Sequence, residues 1–399
     1  MAKPPLSRRG FLGAAATSAA AGLTVSPLPR TETEASAILA ADPVRIGLIG
    51  LGTRGTTLLR TCLTLPEAIV VALSDAEPHH LARAEGIAQR SGRPIPTGYS
   101  HIEALLARED LDAVLVALPC DLHAQVNAQV LAAGRHLYGE KPLALTLEDC
   151  HAIEEAAARG QLVCHVGFQK RSSPRYQAAA ELIQCGRLGE ILHIETRFGS
   201  SNGPLRGHHG WLGQRARSGD WMLEFATHTW DVWQWLLGEL PQAAVCSGHR
   251  RLFADSDPAR DVTDSYTATL MWKRGTQGTF RQSWIDPPDS EYTRPRFVIS
   301  GSAGTLDLVR GTATFRQGPT RQLALPPDPD TETALALKRF VHAVQLSRSG
   351  KNPESAPCTL REATEATVTG MMVRLACDEQ RVVTREEVAS RPTGSARSA

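Results

Sequence analysis

The chain has 399 residues, 42% hydrophobic and 21% charged, with 43 basic against 42 acidic side chains and a formal net charge of +1. That balance excludes a dedicated nucleic-acid binder, whose basic surface would have to displace counterions, and no apolar run of about 18 residues marks a membrane span. With 33 glycines and 25 prolines it is not low-complexity either, so a soluble enzyme or ligand-binding protein of two or three domains is expected.

The first residues read as an address. Ser7-Arg8-Arg9-Gly10-Phe11-Leu12 leads into an Ala-rich stretch and then Ala35-Ser36-Ala37, the order of a secretory signal with a small-residue cleavage site. The arginine pair followed by Phe-Leu is similar to a twin-arginine signal, which is read by a receptor. That likeness implies a signal peptide over residues 1–37, passage through the twin-arginine translocase in the folded state, and a periplasmic or secreted destination.

Residues 43–166 alternate apolar runs with amphipathic segments. Strands are predicted at Val44–Ile49, Ile69–Leu73, Ala113–Leu118, Leu137–Tyr138 and Leu162–Val166. Helices are predicted at Thr56–Leu65, His80–Ser91, His123–Ala133 and Thr146–Arg159. Strands separated by helices of 10–15 residues imply an α/β domain with a doubly wound parallel sheet. From residue 167 to 390 the pattern turns to β-branched alternation, at Ile191–Phe198, Tyr266–Trp272, Thr276–Trp284, Arg296–Ser300 and Gly304–Val309. Helices are predicted at Ser218–Leu237 and Thr331–Ser347. This reads as an α+β domain with a mainly antiparallel open sheet, followed by a disordered tail at 391–399. The eight cysteines form no C-x-x-C pair. They are expected to be buried thiols, with one or two disulfides as the alternative.

The first strand runs into Gly50-Leu51-Gly52-Thr53-Arg54-Gly55, a G-x-G-x-x-G in the strand-to-helix context that a dinucleotide needs. The glycines permit a tight turn and close approach of a pyrophosphate to the helix N-terminus. This makes the first domain a Rossmann domain. About 20 residues on, Asp75 ends the second strand, where a carboxylate accepts from ribose hydroxyls and repels a 2′-phosphate. NAD is therefore favoured over NADP, with Arg54 as the opposing feature.

Further along come Leu118-Pro119-Cys120-Asp121-Leu122-His123, Gly139-Glu140-Lys141-Pro142 and Val166-Gly167-Phe168-Gln169-Lys170-Arg171. Asp220-Trp221-Met222-Leu223-Glu224-Phe225-Ala226-Thr227-His228-Thr229-Trp230-Asp231 follows. With the glycine loop, this ordered set resembles the Gfo/Idh/MocA oxidoreductases over roughly residues 43–390. The resemblance implies hydride transfer between NAD(P) and a secondary alcohol or ketone of a sugar, polyol or sugar derivative, with the nucleotide in some members bound so tightly that it never leaves. It implies that Pro119, His123, Glu140, Lys141 and Gln169 join Gly50, Gly52, Thr53, Arg54, Gly55 and Asp75 around the cofactor. Lys141 and His228 take the catalytic positions. Members carry Asp where this chain has Glu224, and Gly where it has Ala226. Self-association through the second sheet is also implied.

Residue chemistry is consistent with this. Carbinol oxidation needs a base near neutral pKa, and a buried lysine can be depressed that far where arginine cannot. The chain has six lysines against 37 arginines, so each lysine is worth a look. Glu224 and His228, at i and i+4, are expected on one helix face, with Glu224 fixing the imidazole tautomer. Arg171, Tyr176, Trp211, Arg215 and Asp231 are candidates for the substrate pocket. Two ligands without a third make a poor zinc site, so no metal is expected. Two other readings stand beside the dehydrogenase: a glycosidase or lyase that oxidises its sugar transiently with a resident NAD, and a non-catalytic nucleotide-containing binding protein.

Overall fold

The computed structural model describes residues 42–200, 210–253, 257–288, 290–318, 321–327, 331–353 and 356–391. The signal segment and residues 392–399 of the tail lie outside them. Strands β1 (Val44–Ile49), β2 (Ala68–Ser74), β3 (Thr97–Tyr99), β4 (Ala113–Val116), β5 (His136–Gly139) and β6 (Cys164–Val166) form a parallel sheet in the order β3-β2-β1-β4-β5-β6. The crossovers are helices α1 (Thr53–Thr64), α2 (Pro78–Arg90), α3 (Ile102–Leu106), α4 (His123–Ala132) and α5 (Leu147–Gly160). All four β4 residues are buried, as a strand covered on both faces demands. The order reverses between β1 and β4, which opens a crevice outside their carboxyl ends. Gly50 makes the turn there at φ +86°; a Cβ on it would stand 2.3 Å from the Ala117 carbonyl oxygen.

The second part contains α6 (Pro174–Gln184), β7 (Ile191–Gly199), the short helices α7 (Arg215–Ser218) and α8 (Trp221–Glu224), then α9 (Thr227–Leu237). Strands β8 (Ala243–His249), β9 (Ser265–Met271), β10 (Gln277–Ser283), β11 (Arg296–Gly301), β12 (Gly304–Asp307), β13 (Thr312–Phe315) and β14 (Gln322–Ala324) follow. Helices α10 (Glu332–Arg348) and α11 (Leu360–Glu379), strand β15 (Val383–Thr384) and helix α12 (Arg385–Ser390) end the described chain. Among the described residues the sheet has nine strands, ordered β14-β13-β12-β11-β7-β10-β9-β8-β15. It is mixed: β7 and β10 run parallel, and the other pairs are antiparallel. In β9, Tyr266, Ala268 and Leu270 are buried while Thr267 is exposed, the alternation of a sheet covered on one face. Trp230 and Trp233 of α9 pack on Phe280 of β10 from that face.

Three departures from expectation matter for the site. Residues 218–237 are not one helix. Gly219 and Asp220 both take positive φ, and Asp220 caps Trp221 and bonds Thr263; a second break falls at Phe225–Ala226. Helix α10 returns to the first sheet, where Leu337, Phe340, Val341 and Val344 share a core with Ile46, Leu48 and Leu58. Helix α11 was not expected at all, and ten of its residues are buried. Among the described residues no helix is long and apolar enough to cross a membrane.

Candidate active site

A cavity of about 870 Å³ runs along the carboxyl ends of β1, β2, β4 and β5. At one end are Asp75, Glu77, His80 and Arg83; at the other, Glu140, Lys141, Gln169, Trp211, Arg217, Glu224 and His228. The glycine loop lies between. A Cβ on Gly52 would meet nothing within 4 Å, so this position faces open space that a side chain would fill. The N-terminus of α1 stands beside it with no acidic residue in its first turn and no side-chain cap. These are the conditions for holding a pyrophosphate. Asp75 is partly engaged by its own chain. Its Oδ2 accepts from Leu51 N at 2.6 Å and lies 3.0 Å from His80 Nδ1, and its Oδ1 accepts from Glu77 N at 2.9 Å.

Arg54 turns away from Asp75. Its Nε donates to Glu140 Oε1 at 2.6 Å and its Nη1 to Thr333 Oγ1 of α10 at 2.9 Å. It is therefore committed to the far end of the cavity and not to a 2′-phosphate beside Asp75. At that end Gln169 Oε1 and His228 Nδ1 are buried with no hydrogen-bond partner in the protein. Buried polar atoms are normally satisfied, so both suit an amide- and hydroxyl-bearing ligand. The open glycine cradle, the carboxylate at Asp75 and these two orphaned atoms fit a nicotinamide dinucleotide.

Lys141 is the second residue of the loop after β5, with a cis peptide to Pro142. Its Nζ donates to Glu224 Oε1 at 2.8 Å and to the Glu224 carbonyl. Burial by itself lowers this amine's pKa, but the Glu224 carboxylate, helped by Cys120 and Glu140, more than offsets it. The net direction is upward, opposite to the depressed lysine expected from sequence. Glu224 thus serves Lys141, not His228, because the break between α8 and α9 takes the two off a common helix face. His228 lies against Phe168, edge to face at 5.9 Å. Burial, then Lys141, Lys170 and Arg54, hold it well below its ordinary range, so its imidazole is neutral.

Several expected ligands lie outside the cavity. Arg171 and Asp231 form a buried pair, with Nη2 to Oδ1 at 2.7 Å and side chains 2% and 1% exposed. Arg171 Nη1 also reaches Glu362 at 2.7 Å. They tie the turn after β6 to α9 and α11 and cannot meet substrate. Tyr176 is buried beside Lys170, 3.3 Å from its amine. Arg215 pairs with Asp378 of α11. His123 is enclosed, its ring nitrogens 2.7 Å from the Pro142 carbonyl and 2.9 Å from that of Leu118; it holds the two loops that line the site. Gly55 sits behind the loop, against the Gly50 carbonyl. Gly50, Gly52, Thr53, Arg54, Asp75, Pro119, Glu140, Lys141, Gln169, Trp211, Glu224 and His228 all line the cavity. Sequence reasoning missed His80 and Thr333. His80 stands five residues after Asp75, a visible signal; Thr333 is brought in only by the return of α10.

Comparison with known proteins identifies the class. Residues 44–168 match the oxidoreductase family with an NAD-binding Rossmann fold, and residues 176–307 match the GFO/IDH/MocA C-terminal domain. An uncharacterized oxidoreductase of Synechocystis is 30% identical over 286 residues, 67% of this chain and 75% of its own. The chain belongs to the GFO/IDH/MocA oxidoreductase family. An inositol 2-dehydrogenase of Rhizobium meliloti is 29% identical over 240 residues, 60% of this chain and 68% of its own. A glycosyl hydrolase family 109 protein of Shewanella pealeana is 30% identical over 210 residues, 48% of this chain and 46% of its own. The chain thus matches less than half the length of the Shewanella relatives. A levoglucosan dehydrogenase in complex with NADH and levoglucosan superposes with a TM-score of 0.71 at 20% identity, over 86% of this chain and 99% of its own, and shares the fold.

Proposed function

We propose that the protein is an NAD-dependent dehydrogenase or reductase acting on a secondary alcohol or ketone of a neutral sugar, polyol or sugar derivative. The observation that carries this is the meeting of the Lys141–Glu224 pair and His228 at one end of a dinucleotide-sized cavity whose other end is Asp75. Bound NAD would supply the hydride acceptor. The protein's own residues do the rest. Lys141 holds the substrate hydroxyl and relays its proton, with Glu224 fixing the amine in place. His228, neutral and unpartnered at Nδ1, accepts a proton or a hydrogen bond. Three cations line this end, each matched by a carboxylate: Lys141–Glu224, Arg54–Glu140 and Arg217–Asp121. Such matched pairs suit a hydroxyl-rich substrate without net charge.

Asp75 and the commitment of Arg54 to Glu140 favour NAD over NADP. The arginine-pair leader favours export by the twin-arginine route to the periplasm, with nucleotide already bound. Membership of the family favours self-association through the open face of the second sheet, which carries Glu195, Arg197, Thr267, Thr279 and Arg281. Likeness to the Shewanella glycosyl hydrolases supports a second reading, glycoside cleavage through transient oxidation by a resident NAD. The test is to release nucleotide from purified protein, identify it by mass, and screen sugars and cyclitols for a change in reduced-nicotinamide absorbance. Dehydrogenation predicts net NADH with a free polyol. Glycoside cleavage without added NAD and without net NADH would select the second reading, and bound NAD that no sugar reduces, with no glycoside cleaved, would overturn both.

A further inference from the structure

Away from the cavity, Cys246 on β8 and Cys377 in the last turn of α11 lie side by side, close enough for each thiol to shift the other's pKa. Cys246 is buried in the inward face of the strand, and Cys377 is partly exposed. Gly248, two residues along the same strand face, explains the close approach: a Cβ there would stand 2.9 Å from Cys377 Sγ. The helix that carries Cys377 also backs the catalytic segment. Arg374 donates to the Gly219 carbonyl at 3.3 Å, and Gly370 lies against the Met222 carbonyl.

We propose that Cys246 and Cys377 form a redox pair that closes to an intramolecular disulfide, tying the second sheet to the helix behind Glu224. The oxidant is an external disulfide, as in thiol–disulfide exchange. The Cys377 thiolate attacks one sulfur of that disulfide and expels the other as a thiolate, leaving a mixed disulfide. The Cys246 thiol then gives up its proton and attacks Cys377 Sγ, expelling the second thiolate. Two protein thiols lose two electrons and two protons, and the external disulfide ends as two thiols. The order follows from exposure: Cys377 is partly exposed and can meet an external disulfide, whereas Cys246 is buried. The more exposed sulfur is thus the attacking one.

The test uses the full chain, reduced, desalted and incubated folded with oxidised glutathione, then alkylated in denaturant and mapped by peptide mass. Peptides carrying Cys246 and Cys377 should be recovered linked, and the oxidised chain should melt higher than the reduced one. Cys246→Ser should instead trap glutathione on Cys377. Recovery of both wild-type peptides as alkylated free thiols would overturn the proposal. So would stable glutathione on Cys377 of the wild type, or a link from either cysteine to a different partner. The wild-type mapping decides the matter even where a variant fails to fold.

Discussion

The Lys141 amine is held at two points by one residue, the carboxylate and the carbonyl oxygen of Glu224. That arrangement makes Glu224 a positioning and charge-setting residue for Lys141. Glu224→Gln keeps the shape and removes the charge that raises the amine's pKa, so the lysine limb of the kcat/KM pH profile should move to lower pH. A profile whose limb stays in place would detach Glu224 from Lys141. Lys141→Met keeps the apolar stem and removes the amine. General acid–base groups contribute about 10²–10⁴-fold, and hydride transfer in single turnover should fall by roughly that factor while nucleotide occupancy stays the same. At the other end of the cavity, Asp75→Asn retains an acceptor for Leu51 N and loses the charge. NAD affinity should drop about tenfold, roughly 1.4 kcal/mol, with NADP gaining relative to it. Titration of the nucleotide-free protein with both cofactors checks this, and an unchanged ratio would remove Asp75 from cofactor choice.

At the scale of elements, the legible parts were those whose cause is local. The apolar runs of β1, β2 and β4 and the glycine turn at Gly50 follow from neighbouring residues, and so did the placement of a nucleotide there. The Lys141–Glu224 pair joins residues 83 apart in sequence, and nothing local announces it; the i, i+4 spacing of Glu224 and His228 pointed to the wrong partner. The break at Phe225–Ala226 that undoes this spacing has no glycine or proline to announce it, and the earlier one, visible as the Gly219-Asp220 pair, was overridden by the apolar stretch after it. Helix α11 escaped because its buried residues, from Ala363 to Ala376, surround the helix and leave no apolar stripe. Its capping box, Thr359 with Glu362, was a readable start signal. Arg171 and Asp231 look like polar site residues in sequence, yet their burial makes them a strut between elements. Asp231→Ala would leave the buried guanidinium with Glu362 as its remaining carboxylate, at a cost of up to about 3–5 kcal/mol. Urea unfolding measures this, and a loss below about 1 kcal/mol would place the pair in solvent.

For the whole molecule, the buried histidines set how the fold responds to acid. His123, His165 and His228 are all held below the ordinary imidazole value, by burial first and by nearby cations as well; His165 is pushed down to about 3. In the unfolded chain each would titrate near about 6.5. Above that pH neither state carries these protons, and they do not affect stability. As pH falls through about 6.5 the unfolded chain binds protons that the folded chain refuses, so stability falls. The loss is about 1.4 kcal/mol per pH unit for each histidine, and it continues until the folded value is reached, near 3 for His165. Carboxylates held low by arginines, such as Asp112 beside Arg45, add their own loss from about pH 5 downward. Between about pH 6 and 5 these histidines, with half-buried His136 beside them, dominate the decline, opposed where buried Asp220 and Asp231, held above the ordinary carboxylate range, take up protons in the folded chain. Unfolding free energies from urea titrations at closely spaced pH values in that window should fall steadily. His165→Leu, which removes a ring whose Nε2 has no partner, should make the decline shallower by about one histidine's share. A wild-type stability that stays level down to about pH 5 would mean that these three rings take up their protons in the folded state.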